Sequence, residues 1–520
     1  MKAVFRVDAS LKIGTGHVMR CLTLASILKK NFVDVSFICR EHKGNLINYI
    51  LESGFHVHAL KEGVEPVSKI TNYAEWLGVS YEQDANETIE FLKNRHIDWM
   101  IVDHYSIDIK WEKLVSSYYK KLMVIDDLAN RRHCCNILLD QTYGRKKNDY
   151  DFLTNSEAIL LLGPKYALLR KEFSKLRNLT LAKKRNRTIK HILVYLGGVD
   201  SENLTESVLD KLKSCSIRET TQITVLMGSQ APFLSKIKTA VKQLPFSAKL
   251  EVDTKHIAKI MSNADLSIGA SGSTTWERCC LGLPSIQFCI SDNQKFLSQT
   301  LNRNNVIKLV DSADEIPDLI NDYPNWMLES SKLSSQICDG NGVNRIFNRM
   351  FDLSLKIDND LDVELCNYIN LKEDEKRLVL EMRNHSGVRV WMTNKEIITI
   401  KEHYKFLENL EDDKTKQYFL VKKKDIIVGS ISFVNLDYGE STDFGIFVNP
   451  YIDFQGAGRL LESSAANYAF KVLNVKKIFL EVFEDNVRAL DFYKRAGFKI
   501  LDTKEVSQKI VIKMIKEQIA

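Results

Sequence analysis

The chain has 520 residues, 44% apolar and 27% charged, with a formal net charge of +6. That length suggests about three units at ~150 residues each, and a charge excess so small and scattered gives no ground for a nucleic-acid partner. Ten cysteines without a repeating spacing, no apolar run of membrane-spanning length, and Arg6 and Asp8 inside the first strand pattern argue against a metal knot, a membrane span and a signal peptide; the expectation is a cytoplasmic protein with reduced thiols.

Residues 1–165 alternate strand and helix. Strands are expected at Ala3–Val7, Val33–Cys39, Trp99–Val102, Leu122–Ile125 and Ile137–Leu139, with amphipathic helices between them, one of them around Asp84–Asn94. This alternation implies a parallel sheet covered on both faces, whose ligands sit beyond the carboxyl ends of the strands. Polar clusters fall at three such ends: Asp8, Asp103-His104-Tyr105 and Asp126-Asp127. Asp127 is read as a helix cap. After the first strand, Gly14-Thr-Gly-His17 opens a helix whose apolar face is Val18, Cys21, Leu22, Ala25 and Leu28. Gly14 and Gly16 let the backbone approach a ligand, and His17 can move protons near neutral pH.

Residues 166–188 are charged and read as a connecting segment. A second alternating set follows at His191–Leu196, Gln222–Met227, Leu250–Val252, Asp265–Ile268, Pro284–Phe288 and Val306–Leu309. Two strand ends stand out, Gly197-Gly198-Val-Asp200 and Gly269-Ala-Ser-Gly-Ser-Thr274. Ser271, Gly272, Ser273 and Thr274 offer hydroxyls and backbone donors to a diphosphate. Glu277, one turn further, either accepts both hydroxyls of a ribose or forms a capping box with Ser273 or Thr274.

Two Rossmann-like lobes in tandem suggest the GT-B architecture. With Phe5-Arg-Val-Asp-Ala-Ser10, Gly14 to Arg20, Val102-Asp-His-Tyr105, Ile125-Asp-Asp-Leu128, Gly197 to Asp200, Gly269 to Ser273 and Asn293-Gln294, residues 1–345 resemble the UDP-sugar hydrolases of pseudaminic acid biosynthesis. The resemblance implies lobes at 1–165 and 166–345, His17 as general base, and Gly14, Gly16, Arg20, Tyr105, Gly198, Asp200, Ser271–Thr274, Glu277 and Asn293 around a UDP-sugar. Two alternatives stay open: a glycosyltransferase with an organic acceptor, and a non-catalytic sugar-nucleotide module. No metal is expected.

Residues 346–362 read as a helix running into a linker, and 363–520 as a third α/β unit with strands at Phe419–Val421, Ile426–Val434, Asp443–Val448, Lys477–Val482 and Lys509–Met514. Phe454-Gln-Gly-Ala-Gly-Arg459 before a helix, with Asn486, Ala489, Tyr493 and Gly497-Phe498, resembles the GNAT acyl-CoA N-acetyltransferases. That resemblance implies acetyl-CoA as co-substrate, held by Phe454, Gln455, Gly456, Ala457, Gly458, Arg459 and Asn486, with Tyr493 protonating the leaving thiolate. Asp453 stands where the family favours Arg or Gln. Leu380 to Asn384 and Val388 to Met392 resemble the acetyltransferase of the same pathway, which implies Arg383, Asn384 and Trp391 near the sugar nucleotide. The oligomeric state is not readable from the sequence.

Overall fold

The computed structural model describes residues 1–63, 73–182, 188–351, 363–413, 415–424, 426–437, 439–506 and 509–518. The chain forms two compact units, Met1–Phe347 and Asn348–Ala520.

The first unit holds two parallel sheets. In the first, β1 (Lys2–Val7), β2 (Asp34–Arg40), β3 (His56–Leu60), β4 (Trp99–Asp103), β5 (Lys121–Ile125), β6 (Ile137–Asp140) and β7 (Ile159–Leu162) lie in the order β3-β2-β1-β4-β5-β6-β7. The central strands are apolar almost throughout and buried, as a sheet covered on both faces requires. The order turns outward on both sides of β1 and β4, which places Asp8 and Asp103 at the switch point where such sheets bind ligands. The expected helix around Asp84 runs from Tyr81 to Leu92, capped by Ser80.

The second sheet carries β8 (His191–Tyr195), β9 (Gln222–Met227), β10 (Ser247–Val252), β11 (Leu266–Ala270), β12 (Ser285–Phe288) and β13 (Lys308–Val310) in the order β10-β9-β8-β11-β12-β13. Its switch point lies between β8 and β11, the two strands that end at the Gly197 and Ser271 turns. Lys171–Ala182, expected to be a connector, is a helix: Phe173 is fully buried, and Arg177 donates to the Cys280, Ser335 and Cys338 carbonyls at 2.6–3.0 Å. The basic run Lys183–Arg187 lies outside the described residues.

The second unit is built on a seven-stranded sheet. Its strands are β14 (Val363–Asn367), β15 (Gln417–Lys423), β16 (Ile426–Asp437), β17 (Ser441–Val448), β18 (Lys477–Phe483), β19 (Lys499–Val506) and β20 (Lys509–Glu517), in the order β14-β15-β16-β17-β18-β20-β19. The Ala457–Asn467 helix packs on it through Ala457, Leu461 and Ala465. Of the expected linker, the helical start is the end of the Gly342–Phe351 helix; residues 352–362 lie outside the described residues. No helix among the described residues is long and apolar enough to cross a membrane.

Candidate functional sites

The first site is built at the ends of β1 and β4. Beyond β1 the chain turns through Gly14, whose φ of +79° favours glycine, and enters the Gly16–Lys30 helix. A Cβ on Gly16 would stand 3.6 Å from Ser273 Oγ, so the His17 turn faces the small-residue turn of the other lobe. His17 is 8% exposed. Its Nδ1 stands 2.6 Å from Asp103 Oδ1. Arg20 grips the same carboxylate with two nitrogens, Nε to Oδ2 at 2.6 Å and NH2 to Oδ1 at 2.7 Å, and its NH1 reaches Asp127 Oδ2 at 2.5 Å. Burial alone would raise the Asp103 carboxyl; the Arg20 guanidinium and His17 outweigh it and hold that carboxyl well below the usual range. An ionised Asp103 suits the ring tautomer that donates Nδ1–H to it, and in that tautomer the lone pair lies on Nε2. Tyr105 closes the ring of contacts. Its hydroxyl donates to Asp127 Oδ2 at 3.0 Å, and its ring stands edge-on to His17 with centroids 4.6 Å apart.

Asp103 and Asp127 belong to the cluster around His17 and were not among the site residues expected from the sequence. Asp103 was visible as a polar strand end. Asp127 corrects the capping expectation. Its neighbour Asp126 takes the turn N–H groups of Leu128 and Ala129, while Asp127 serves Arg20 and Tyr105. Asp8 serves the scaffold: it accepts Arg6 NH1 and the Arg40 N–H, both at 2.7 Å, inside a wholly buried cluster with Asp84. Burial would raise its carboxyl, but Arg6 and His104 hold it well below the usual range.

The facing turn, between β11 and the Thr274–Cys280 helix, is only partly what the sequence led us to expect. Ser271 is a correction. It is fully buried, its hydroxyl donates to Gln287 Oε1 at 2.9 Å, and its N–H donates to the Phe288 carbonyl, so it faces the lobe's interior. Ser273 is exposed, and Gly272 and Thr274 are half-buried. Ser273 makes no side-chain cap, so the capping box with Ser273 is not formed. Glu277 Oε1 instead receives Arg170 NH2 at 3.3 Å, and Oε2 is buried without a hydrogen-bond partner. Burial raises this carboxyl against the pull of Arg170. Asp200 is a second correction: its carboxylate accepts the Leu204 and Thr205 N–H groups at 3.0 and 2.9 Å, as a helix cap. The Gly198 carbonyl accepts the Gly228 N–H at 2.8 Å and fixes the end of β8. Asn293 approaches the Tyr105 hydroxyl from the second lobe.

In the second unit, β17 and β18 run parallel but pair only from Ser441–Lys477 to Asp443–Phe479. Beyond that point they part, and the Phe454–Arg459 turn enters the Ala457–Asn467 helix beside the gap. Gly456 has φ +84° and no atom within 4 Å of where a Cβ would lie, and Gly458 faces the Phe492 ring. Backbone N–H groups at such a helix start suit a pyrophosphate. Gln455 and Arg459 are exposed, Phe454 half-buried, Ala457 buried and Asp453 exposed. Asn486 caps its own helix through the Ala489 N–H at 3.2 Å. Tyr493 packs edge-on against Phe444 and Phe498, and burial, reinforced by Glu462, pushes its phenol well above the ordinary value. It therefore carries its proton at neutral pH. Arg383 donates to the Asn394 carbonyl at 2.6 Å and keeps NH1 buried without a partner. Asn384 is a further correction. Both ends of its amide bond the main chain of Ile398, at 2.8 and 2.9 Å, so it pins a loop. Trp391 is 42% exposed.

Comparison with known proteins follows the same division. A family model described as "Acetyltransferase (GNAT) family" matches residues 385–498. The acetyltransferase PseH of Campylobacter jejuni is 36% identical over 140 residues, covering 27% of this chain and 87% of that protein. The UDP-2,4-diacetamido-2,4,6-trideoxy-beta-L-altropyranose hydrolase of the same species is 29% identical over 297 residues, covering 57% of this chain and 94% of that protein. An uncharacterized protein of Methanocaldococcus jannaschii is 24% identical over 516 residues, covering 96% of this chain and 97% of that one.

Proposed function

The chain belongs to the GNAT acetyltransferase family through its second unit, and from that premise we propose a cytoplasmic enzyme with two consecutive activities on one sugar nucleotide. The second unit transfers acetyl from acetyl-CoA to the 4-amino group of UDP-4-amino-4,6-dideoxy-N-acetyl-β-L-altrosamine. The first unit hydrolyses the resulting UDP-2,4-diacetamido-2,4,6-trideoxy-β-L-altrose to UDP and the free sugar.

In the transferase unit the neutral amine attacks the thioester carbonyl, the C–S bond breaks, the proton of Tyr493 goes to the departing thiolate, and the proton shed by the acylated nitrogen passes through solvent to restore the Tyr493 phenol. The parted strands β17 and β18 and the Gly456 turn fit a pantetheine arm and its pyrophosphate, since Gly456 keeps the backbone accessible. In the hydrolase unit His17 Nε2 takes a proton from water as the water oxygen attacks the anomeric carbon. The bond from that carbon to the diphosphate oxygen breaks, and UDP leaves as an anion beside the Gly272–Thr274 turn. Glu277 keeps a buried oxygen without a hydrogen-bond partner, which supports assigning it the ribose hydroxyls. The observation that supports the hydrolase reading is the 2.6 Å pairing of His17 Nδ1 with a buried, ionised Asp103, which favours the tautomer with its lone pair on Nε2.

The test is to incubate the full chain with the 4-amino UDP-sugar and acetyl-CoA while following CoA, UDP and sugar mass together. His17→Ala should retain CoA release and lose UDP release. UDP release at the normal rate by this variant overturns the assignment, and UDP release that needs an added organic acceptor makes the first unit a glycosyltransferase.

A further inference from the structure

A buried cation that the reaction scheme does not use lies behind the small-residue turn of the second lobe. Arg278 follows Glu277 on the Thr274–Cys280 helix and is 0% exposed. Its NH2 donates to the Ala270 carbonyl at 2.6 Å and to the Thr275 hydroxyl at 3.1 Å. Nε and NH1 are buried without a hydrogen-bond partner. NH1 lies 2.6 Å from the place a Cβ would take on Gly269, so the guanidinium presses on the strand end that leads into the turn. The adjacent carboxylate, Glu277, is paired with Arg170 instead. Burial pulls Arg278 down to about 10, against Cys279 and Glu277, which raise it. It stays charged at neutral pH.

A buried charge with two unserved donors is expensive for the fold to keep. The two bonds it makes, to Ala270 and Thr275, use only one of its three nitrogens. The cost is offset when an anion arrives nearby, because Coulomb attraction through a low-dielectric interior reaches across several ångströms.

We propose that Arg278 is a positioning residue for the diphosphate of a nucleoside diphosphate ligand. It holds the Gly269–Thr275 turn from behind through Ala270 and Thr275, and the ligand's phosphates supply its counter-charge. The proposal rests on the sugar-nucleotide reading of this lobe, and it separates the phosphate-dependent part of recognition from the nucleoside part.

The test titrates UDP and uridine into the full chain by calorimetry, in wild type and in Arg278→Met. Wild type should bind UDP; if it does not, the sugar-nucleotide reading itself falls. In Arg278→Met the affinity for UDP should drop about tenfold or more while uridine binding is unchanged, and the ligand-free melting temperature should hold or rise. Equal UDP affinity in the two proteins overturns the proposal. So does a parallel loss of UDP and uridine, which would make Arg278 a structural pin only. Should Arg278→Met fail to fold, Arg278→Gln removes the charge while keeping a polar side chain in the buried site, and the same ratio of UDP to uridine affinity decides.

Discussion

Replacing Asp103 by asparagine tests the base assignment at its most exposed point. The carboxylate accepts from four groups: His17 Nδ1 at 2.6 Å, Arg20 Nε at 2.6 Å, Arg20 NH2 at 2.7 Å and Cys21 Sγ at 3.4 Å. An amide offers one acceptor and one donor. With its oxygen toward Arg20 Nε, the new NH2 meets Arg20 NH2, a second donor, and faces His17 Nδ1, which must become the acceptor; the ring proton then moves to Nε2 and the base is gone. With its oxygen toward His17, the NH2 collides with Arg20 Nε, leaving two donors face to face in a buried site. A positioned general base contributes about 10²–10⁴ in rate, or ~3–5 kcal/mol of transition-state stabilisation. Breaking a buried ion pair costs up to about 3–5 kcal/mol of stability, tempered here because Arg20 keeps Asp127. Steady-state UDP release on the diacetylated substrate should show kcat down by about 10²–10⁴ and KM little changed. Acetyl transfer by the same preparation should be normal. A folded Asp103→Asn protein with kcat within tenfold of wild type refutes the tautomer argument.

Tyr493→Phe should slow acetyl transfer by about 10²-fold or more and leave UDP release from an already diacetylated substrate untouched; the ring contacts survive, so an unchanged transfer rate in a folded variant removes Tyr493 from the mechanism. Asp140 supplies a pH test of stability: burial first, then Asp127, raise its carboxyl to about 6 in spite of Arg145. The folded state thus holds this proton more tightly than the unfolded chain, whose value is near 3.9, so the contribution is complete below about pH 4 and is lost as pH rises through 6. Asp140→Asn cannot ionise, and wild type should lose melting temperature relative to it between pH 4 and 7; a difference that stays flat across that range refutes the shift.

The strand ends were legible because a covered parallel sheet writes its strands as short apolar runs, and the first polar residue after such a run marks the ligand side. Asp103 and the Gly197 and Ser271 turns follow from that pattern alone. Of the strands that went unread, His56–Leu60 carries two histidines, and Lys499–Val506 is an edge strand exposed along nearly its whole length, with no apolar face to betray it, whereas Ile159–Leu162 does carry the apolar run and was missed all the same. Pairings distant in sequence were illegible for a different reason. Ser271 looks like a phosphate ligand until Gln287, on the neighbouring strand, is seen to take its hydroxyl and that of Thr275. Asn384 looks like a substrate contact until Ile398 is found at both ends of its amide.

Asp126 and Asp127 bring the two situations together in one dipeptide. Successive residues of an extended segment point to opposite sides, so one carboxylate must turn toward its own loop and the other toward the cleft. Local propensity favours a cap for either. The choice is made by what waits on each side. Arg131 and the Leu128 and Ala129 N–H groups lie on the side of Asp126, and Arg20, one turn beyond His17, lies on the side of Asp127. Arg20 therefore spans two strand ends, β4 through Asp103 and the turn after β5 through Asp127, and it is this bridge that keeps the carboxylate beneath His17 ionised and in place. On the general-base reading proposed above, an arginine at that helical position supports the base through Asp103, although it contacts no atom that reacts.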